Sequence, residues 1–582
     1  MRFLVTAVLV TVMFTPPAST IINHRFYRGI DGGLECATCT VLISLVDQLA
    51  EVNNQTIIEA FDSFCVMLPP KLGNPCQLFA EIFGPLIIQM VAEGANADDI
   101  CRGIGLCYQQ PGQKMCSLYP KTLKFDKKRI SYHQYSTRKH LKSNWNVKLT
   151  NEKWSICDVP LLNLICVLYK NVFDNHVPFD DVDHDRHSPS QSLRGSSWRG
   201  KDCNDGRADI YPGRKPELLK DVKFDSNCNG IWGFDNKTGK SYEEQFCDNT
   251  GQRGVVVIGD SVGAHFHAPQ EWFDPQLLTK ESLKYLPFAL ENELDWPQLS
   301  LVTGYMDSVW DVAKGPTDSI YKRIRERNRC NHRNYQNTAV NGDSSFDAIT
   351  TVEALRLNPK QDYPVLIVLE LVGNDVCNGH PANETLDYMT TEQQMHDNLI
   401  KILTEVNQTA PADSKVLIVG MADGDFLYQF LGNRTHPFGR WRNDLTYADV
   451  YEWWNCMQVT PCTGWLSNDA TLRSLTTQRA MNLSGVMKNL AKTHKHFWSN
   501  LEVAYIDCPI NTVINRYIFE HGSQTGYQLI EPVDGFHPNQ LGQALSAAEV
   551  WRQMELKMPN FLGPLNRNNE EIIKVFGDQG GH

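Results

Sequence analysis

The chain has 582 residues, of which 42% are hydrophobic and 10% aromatic, so it exceeds the size that one hydrophobic core usually supports. Its formal net charge of -12 argues against a nucleic-acid-binding protein, because binding to phosphates requires a basic surface. Charged residues make up 21%, and no low-complexity tract interrupts the sequence, so we expect several globular domains.

Residues 1–20 have the pattern of a secretory signal peptide. Arg2 precedes an apolar run from Phe3 to Phe14, and small or turn-forming residues follow as far as Thr20. A retained membrane anchor is the alternative, but this run is short for a segment that crosses a bilayer. We therefore expect the mature protein to be soluble and to lie outside the cytosol.

The cysteines and the possible glycosylation sites agree with the secretory route. Most of the 17 cysteines should be paired there, and the odd number leaves at least one unpaired. Six Asn-X-Ser/Thr sequences predict N-glycosylation, at Asn54, Asn236, Asn383, Asn407, Asn433 and Asn482.

Residues 32–110 contain six cysteines among two amphipathic stretches, Cys39 to Leu49 and Cys76 to Ile87, whose apolar residues have helical spacing. The cysteine spacing resembles that of a saposin B-type domain, an all-α domain that binds lipids by exposing its apolar interior. The resemblance implies three bonds, Cys36–Cys107, Cys39–Cys101 and Cys65–Cys76, whereas sequence alone cannot fix the connectivity. A disulfide-linked helical bundle without lipid binding is the alternative.

Residues 111–155 are basic and polar, and they are predicted to form an exposed linker. Such a segment is a natural place for proteolytic cleavage. Cys116 lies just before the linker and could hold two resulting chains together through a disulfide, although its partner is not evident from the sequence.

The segment 156–250 contains many oxygen-bearing side chains at short intervals. Crowded carboxylates repel one another unless a cation lies among them, and Ca²⁺ prefers six to eight oxygen ligands. The sequence lacks an EF-hand loop and a cluster of zinc ligands in this segment. We therefore predict one or more calcium sites, with a solvated acidic loop as the alternative. The candidate ligands are Asp181, Asp183, Asp185, Asp202, Asn204, Asp205, Asp209, Asp225, Asn227 and Asn229.

A candidate nucleophile follows a buried strand. The β-branched run Val255 to Ile258 is typical of a strand in a parallel sheet, and Gly259-Asp260-Ser261 comes directly after it. A serine at such a turn exposes its hydroxyl group beside the N–H groups of a helix start. The Gly-X-Ser-X-Gly pattern also fits an α/β-hydrolase, so this motif alone does not choose between two folds.

The partners of the serine favour one of these folds. Asp534 and His537 lie three residues apart near the end of the domain, and Gly373-Asn374-Asp375 follows another strand-like run. This arrangement resembles the GDSL/SGNH esterase family, which implies an α/β domain over residues 251–560 with a parallel sheet flanked by helices.

Roles in ester hydrolysis follow from these residue types. Ser261 is the predicted nucleophile, His537 the general base and Asp534 the residue that orients the imidazole. The oxyanion would be bound by the Ser261 N–H, the Asn374 side chain that the family's motif implies, and the Gly304 N–H. We interpret His265 and His267 as structural histidines with satisfied hydrogen bonds.

Taken end to end, with a tail at 561–582, the chain resembles the acyloxyacyl hydrolase family. The resemblance implies an enzyme that removes secondary fatty acyl chains from the lipid A of bacterial lipopolysaccharide. It also implies a calcium-binding, secreted or lysosomal (vesicular) glycoprotein of two disulfide-linked chains, which contacts membranes or micelles transiently. The alternatives are a phospholipase or general acyl-lipid esterase, which requires the same triad, and a catalytically inert lipid-binding protein.

Overall fold

The computed structural model describes residues 29–122, 124–144, 147, 176–191, 193–216, 221–307, 310–377 and 388–582. The predicted signal peptide and Asn383 lie outside these residues. The described chain forms an all-α part followed by an α/β part. The helices are α1 (Gly33–Asn53), α2 (Ile57–Met67), α3 (Pro70–Ala92), α4 (Ala97–Gly103), α5 (Lys127–Asn144), α6 (Tyr242–Phe246), α7 (Ser261–Ala264), α8 (Lys280–Leu283), α9 (Leu286–Glu291), α10 (Ile320–Arg327), α11 (Ala348–Glu353), α12 (Asn374–Cys377), α13 (Glu392–Thr409), α14 (Asp425–Leu431), α15 (Tyr447–Met457), α16 (Ala470–Thr493), α17 (Pro509–His521), α18 (Gln540–Lys557) and α19 (Asn569–Phe576). The strands are β1 (Phe234–Asp235), β2 (Lys240–Ser241), β3 (Gly254–Gly259), β4 (Tyr335–Asn337), β5 (Val365–Glu370), β6 (Ser414–Val419) and β7 (Leu501–Ile506).

Helices α1 to α4 form the predicted saposin-like domain. Capping boxes at Thr56 and Asn96 fix the starts of α2 and α4. The aromatic residues of α2 and α3 fill the interior of this domain, where Phe79 packs against Phe83 with ring centroids 4.5 Å apart. The three bonds Cys36–Cys107, Cys39–Cys101 and Cys65–Cys76 are present, so this part of the prediction is confirmed.

The predicted linker is not irregular throughout, because residues Lys127–Asn144 form helix α5. His133, Thr137 and Leu141 make a narrow buried stripe at i, i+4 spacing, and Thr137 Oγ1 donates to the Gly103 carbonyl at 3.2 Å. The polar composition of the segment conceals this stripe. The linker prediction is therefore wrong for this helix, which packs on the saposin-like domain.

The α/β part is built on a five-stranded parallel sheet with the order β4-β3-β5-β6-β7. All residues of β3, β5 and β6 are buried, as apolar runs in a two-sided sheet should be. Helices α13 and α16 cover one face and helices α10 and α18 the other. This confirms the predicted fold class, and it places the carboxyl ends of β3, β4 and β5 side by side.

Apolar packing, a disulfide and polar contacts join the saposin-like domain to the α/β part. The Cys116–Cys456 disulfide crosses from the segment before α5 to helix α15. Arg442 pairs with Asp47 and Glu51 of α1 at 2.7 and 2.6 Å, and Gln48 of the same helix donates to the Phe438 carbonyl at 2.7 Å. Cleavage of the chain between Cys116 and the sheet would therefore leave the two parts covalently connected.

The C-terminal residues 561–582 fold back onto the α/β part. Gln579 donates to the Asn229 carbonyl at 2.7 Å, and the Arg333 guanidinium donates to the carbonyl groups of Gly580 and Gly581. The ring of His582 lies among aromatic side chains, 4.6 Å from Tyr305 by ring centroids. This tail therefore covers part of the Asp- and Asn-rich segment that precedes the sheet.

Candidate active site

Ser261 begins helix α7 immediately after β3, at the carboxyl edge of the sheet. Asp260 caps this helix, since its Oδ1 accepts the Val262 N–H at 3.0 Å, while its Oδ2 accepts the Val372 N–H at 2.9 Å. Burial raises the pKa of Asp260 to about 6, against these hydrogen bonds, which lower it. Asp260 thus fastens the serine turn to the segment that follows β5, a role that the sequence analysis did not identify.

The structure brings the three predicted catalytic residues together. The Ser261 Oγ lies 2.6 Å from His537 Nε2, and His537 Nδ1 lies 2.6 Å from Asp534 Oδ2. The other oxygen of Asp534 accepts the N–H groups of Phe536 and His537 at 2.8 and 3.1 Å. The carboxylate accepts a hydrogen bond from the Nδ1–H group of His537, which leaves the Nε2 lone pair free to accept the serine proton.

The Gly304 prediction fails on geometry. The Gly304 N–H donates to the Ser300 carbonyl at 2.9 Å, and an added Cβ would collide with the backbone of Leu299 and Ser300. Gly304 does not line the cavity beside Ser261 among the described residues. It is a glycine of a tight turn, as a lone loop glycine usually is.

Asn374 does lie at the site, and it indicates a glycine that sequence reasoning missed. Asn374 lines the same cavity as Ser261, and its Nδ2 donates to the Asp343 carbonyl at 3.1 Å. The neighbouring Gly342, which like Gly304 is not among the residues that line the cavity, has a φ of 84°, and within the described parts of the chain its N–H meets no acceptor. Asn341-Gly342-Asp343 follows β4, so the order of strands could have pointed to it.

An apolar cavity of about 60 Å³ opens beside the triad. Its walls include six large apolar or aromatic side chains, from Val372, Phe426, Leu427, Trp465, Ile510 and Phe536. Ser261 and His537 lie at the same cavity, so a bound ester can meet the hydroxyl group while its hydrocarbon part contacts apolar walls.

The two histidines that follow the nucleophile differ. His267 is satisfied, because Glu531 and the Val312 carbonyl each lie 2.8 Å from one ring nitrogen. His265 is fully buried, yet neither of its ring nitrogens has a hydrogen-bond partner among the described residues. Burial lowers the pKa of His265 well below its ordinary value, and its neighbours His267 and His537 act in the same direction. The expectation of satisfied hydrogen bonds holds for His267 and is wrong for His265.

Part of the predicted calcium ligand set forms a cluster away from the triad. Oxygens of Asp181, Asp183 and Asp205 lie within 4.8 Å of one another, and so do those of Asp183, Asp185 and Asp202. Four buried oxygens there, one each from Asp181, Asp183, Asp185 and Asp202, have no partner among the described residues. Orphaned carboxylate oxygens that face one another fit a hard cation such as Ca²⁺.

Burial and the like charges of neighbouring carboxylates raise pKa values within this cluster. Burial, followed by the charges of Asp202, Asp183 and Asp181, raises the pKa of Asp185 to about 8. Burial also raises the pKa of Asp202 to about 6, again with like charges as a further cause. A bound cation would remove this repulsion.

The remaining candidate ligands lie elsewhere or are engaged differently. Asp209 is half-buried and pairs with Arg207 at 2.8 Å, so it does not join the cluster. The oxygens of Asp225, Asn227 and Asn229 accept backbone N–H groups of their own loop. Asn204 is exposed beside Asp202, to which its N–H donates at 2.8 Å. The structure therefore gathers five of the ten predicted ligands.

The possible glycosylation sites can be compared by exposure. Asn54, Asn236, Asn433 and Asn482 are exposed, whereas Asn407 is half-buried and its Oδ1 accepts the Asn500 N–H at 3.0 Å. Four of the six sequences are thus open to a glycan on the folded protein.

Known families match both parts of the chain. The GDSL-like lipase/acylhydrolase family matches residues 255–550, and the saposin-like domain family matches residues 35–167, a range that includes helix α5. The acyloxyacyl hydrolase of Homo sapiens is 41% identical over 97% of this chain and 96% of its own length. The chain belongs to the acyloxyacyl hydrolase family. The Mus musculus member is also 41% identical, over 94% of each chain, and Saposin-C of Cavia porcellus is 31% identical over 12% of this chain and 91% of its own length.

Membership of this family decides between the classes of function left open by the sequence. The chain is a hydrolase that acts on ester-linked acyl chains of lipids. A saposin-like domain and a GDSL-type domain are both present in this chain, with the cavity and the serine at the carboxyl edge of the sheet.

Proposed function

We propose that Ser261 attacks the ester carbonyl of an acyl lipid and that His537 takes the serine proton. The 2.6 Å contact between Ser261 Oγ and His537 Nε2, at the apolar cavity, is the observation that carries this proposal. His537 then gives the proton to the departing alcohol, and the acyl group stays on Ser261. Water, activated by the same imidazole, releases the fatty acid. Asp534 holds the imidazole in the required tautomer and stabilises its protonated form.

Three donors would receive the negative charge of the tetrahedral intermediates: the N–H groups of Ser261 and Gly342 and the side-chain amide of Asn374. The position of Ser261 at a helix start supports its part, because the backbone dipoles there favour an anion. The contact between Asn374 and the Asp343 carbonyl places the amide next to the Gly342 turn, which supports the other two.

The proposed substrate is the lipid A of bacterial lipopolysaccharide, from which the enzyme removes secondary, acyloxyacyl-linked fatty acyl chains and so detoxifies it. The name of the family members supports the type of ester. The saposin-like domain supports a substrate that must leave an aggregate or a membrane, since less than half of an apolar 18-residue window within Leu72–Ala92 of α3 is buried.

The finer properties are proposed on separate observations. The orphaned oxygens of the aspartate cluster support bound Ca²⁺, which would hold this segment together by its charge. The cysteine bonds and the exposed Asn-X-Ser/Thr sequences support a secreted or lysosomal glycoprotein. The Cys116–Cys456 bond would retain both chains after cleavage in the predicted linker region.

The test compares Ser261→Ala with the wild-type protein in fatty-acid release from purified lipopolysaccharide and from phosphatidylcholine vesicles. We expect the alanine variant to lose release from both while it still binds lipid, because only the nucleophile is removed. Ser143→Ala, on the exposed surface of α5, is the control and should retain wild-type activity. Release by Ser261→Ala would contradict the nucleophile, and a wild-type preference for phosphatidylcholine would contradict the substrate.

A further inference from the structure

A second ionisable pair lies beside the triad, between His267 and Glu531. Both side chains are buried, with Glu531 fully enclosed, and the imidazole Nδ1 lies 2.8 Å from each oxygen of the carboxylate. On its other side the His267 Nε2 lies 2.8 Å from the Val312 carbonyl. The two residues are separated by 264 positions in the sequence, so the fold alone brings them together.

The geometry defines where the protons of this pair are. A carbonyl can only accept, so Nε2 carries a hydrogen, and the contact between Nδ1 and the carboxylate requires one more shared proton. Burial raises the pKa of Glu531. Burial alone would lower the pKa of His267, but the charge and the hydrogen bond of Glu531 raise it overall. Both directions favour retention of the shared proton.

Glu531 also closes the loop that carries the acid and the base. Its N–H donates to the His537 carbonyl at 2.8 Å, and its own carbonyl accepts the Gly535 N–H at 2.9 Å. Asp534 and His537 therefore lie within a loop whose two ends meet at Glu531. A shift of the Glu531 backbone would therefore reach this loop through two hydrogen bonds.

His267 belongs to the segment that follows the nucleophile. The preceding residue, Phe266, donates its N–H to the Ser261 carbonyl at 2.9 Å, and its ring centroid lies 4.8 Å from that of His537. The His267 carbonyl in turn accepts the Trp296 indole N–H at 3.0 Å. This end of the pair is thus fixed to the serine turn and to the protein core.

We propose that His267 and Glu531 are positioning residues, which hold the loop of Asp534 and His537 at the correct distance from Ser261. The inference rests on the proposed function, because it assumes that these three residues carry out the reaction. Neither member of the pair lines the described part of the cavity, so they act through the triad and not on the substrate. A displacement of about 1 Å at such a site can reduce turnover roughly 100-fold.

The test uses the full-length variants Glu531→Gln, His267→Gln and their combination, with p-nitrophenyl butyrate as the substrate. A fluorophosphonate label, taken to completion, counts the reactive serines, and Ser261→Ala is measured in parallel. We expect kcat per labelled site to fall between about 10- and 100-fold in each single variant, with KM unchanged. The kcat of the double variant should be no lower than that of the more impaired single variant, because the two residues act as one unit.

Glu281→Gln is the matched control, since Glu281 is exposed, pairs with Lys284 at 3.1 Å and should leave kcat unchanged. A merely structural pair would reduce the number of labelled sites but not the kcat of each site. Fewer labelled sites with an unchanged kcat per site would overturn the inference. So would a double variant whose loss of kcat is the product of the two single losses. In both cases an inactive Ser261→Ala would leave the proposed function intact. Should His267→Gln yield no labelled protein, His267→Asn takes its place under the same criteria. An active Ser261→Ala would instead overturn the proposed function.

Discussion

The triad and the aspartate cluster are both buried groups of ionisable side chains, but they differ in how their polar atoms are satisfied. In the triad, both oxygens of Asp534 accept N–H groups and both nitrogens of His537 have partners. In the cluster, four carboxylate oxygens have no partner among the described residues. The first group is complete without a ligand, whereas the second fits the proposed cation, which would offset the cost of burying unpaired charge.

The largest effect should come from the residue that completes the triad. Asp534→Asn keeps the shape of the side chain but reverses the hydrogen bond to His537 Nδ1, which favours the wrong imidazole tautomer. We expect kcat for a p-nitrophenyl ester to fall by about 10⁴-fold with the fold intact. Asp507→Asn, at an exposed aspartate, is the control. A loss of less than tenfold at position 534 would show that His537 does not depend on this carboxylate.

The next effect should come from the oxyanion donors. Asn374→Ala removes one side-chain amide from the site, and we expect turnover to fall by roughly 100- to 1,000-fold, with a smaller change in KM. The exposed Asn489→Ala of α16 should behave as the wild type. An unchanged kcat in the Asn374 variant would remove this residue from the proposed charge-stabilising set.

Asp98 of the saposin-like domain is intermediate between the triad and the aspartate cluster in how its oxygens are satisfied. Its Oδ2 accepts the Tyr119 N–H, whereas its Oδ1 has no partner among the described residues. Burial raises its pKa from 3.8 to about 6. A carboxyl group with a raised folded-state pKa stabilises the fold below about pH 4 relative to higher pH, and this contribution is lost as the pH rises to about 6.

Asp98→Asn should therefore match the wild type at pH 3.5 and exceed it at pH 7 by up to about 3 kcal/mol in the free energy of unfolding. Urea unfolding at both pH values measures the difference. Asp62→Asn, at an exposed position of α2, should show no such pH dependence. Equal stability of the Asp98 variant and the wild type at pH 7 would show that burial of this carboxyl group carries no cost.

The smallest effect concerns the cation. Added calcium at a hundredfold excess over its Kd should stabilise the fold by about 2.7 kcal/mol relative to chelator, which a thermal melt detects. Asp185→Asn should remove this response and raise the melting temperature in chelator, because one unpaired charge is gone. Asp209→Asn, outside the cluster, should retain the calcium response. Identical melting of the wild type with calcium and with chelator would refute the metal site.

The residues that local patterns identify correctly are those whose role depends on neighbours in the sequence. The buried run Val255 to Ile258 predicted the strand and the serine turn, and the three-residue spacing of Asp534 and His537 predicted their contact. The spacing of the six cysteines predicted the three bonds of the saposin-like domain through the family resemblance. These features are repeated in many proteins because the local chain fixes their geometry.

The sequence could not supply contacts that depend on distant parts of the chain. The Cys116–Cys456 bond spans 340 positions, and no local pattern specifies it. The turn that holds Gly342 was not considered, because the order of strands, which puts β4 beside β3, was not known. Helix α5 was missed because its buried stripe is only three residues wide within a polar segment.

The central claim is that Ser261 forms a covalent bond with the acyl group, and one measurement tests it directly. The protein is mixed with a slowly hydrolysed p-nitrophenyl ester of a long-chain fatty acid, quenched in acid, digested and analysed by mass spectrometry. We expect the mass of the acyl group on the peptide that contains Ser261, and its absence in Ser261→Ala. An acyl group on another residue, or hydrolysis with no acylated peptide at any time, would refute a covalent intermediate on Ser261.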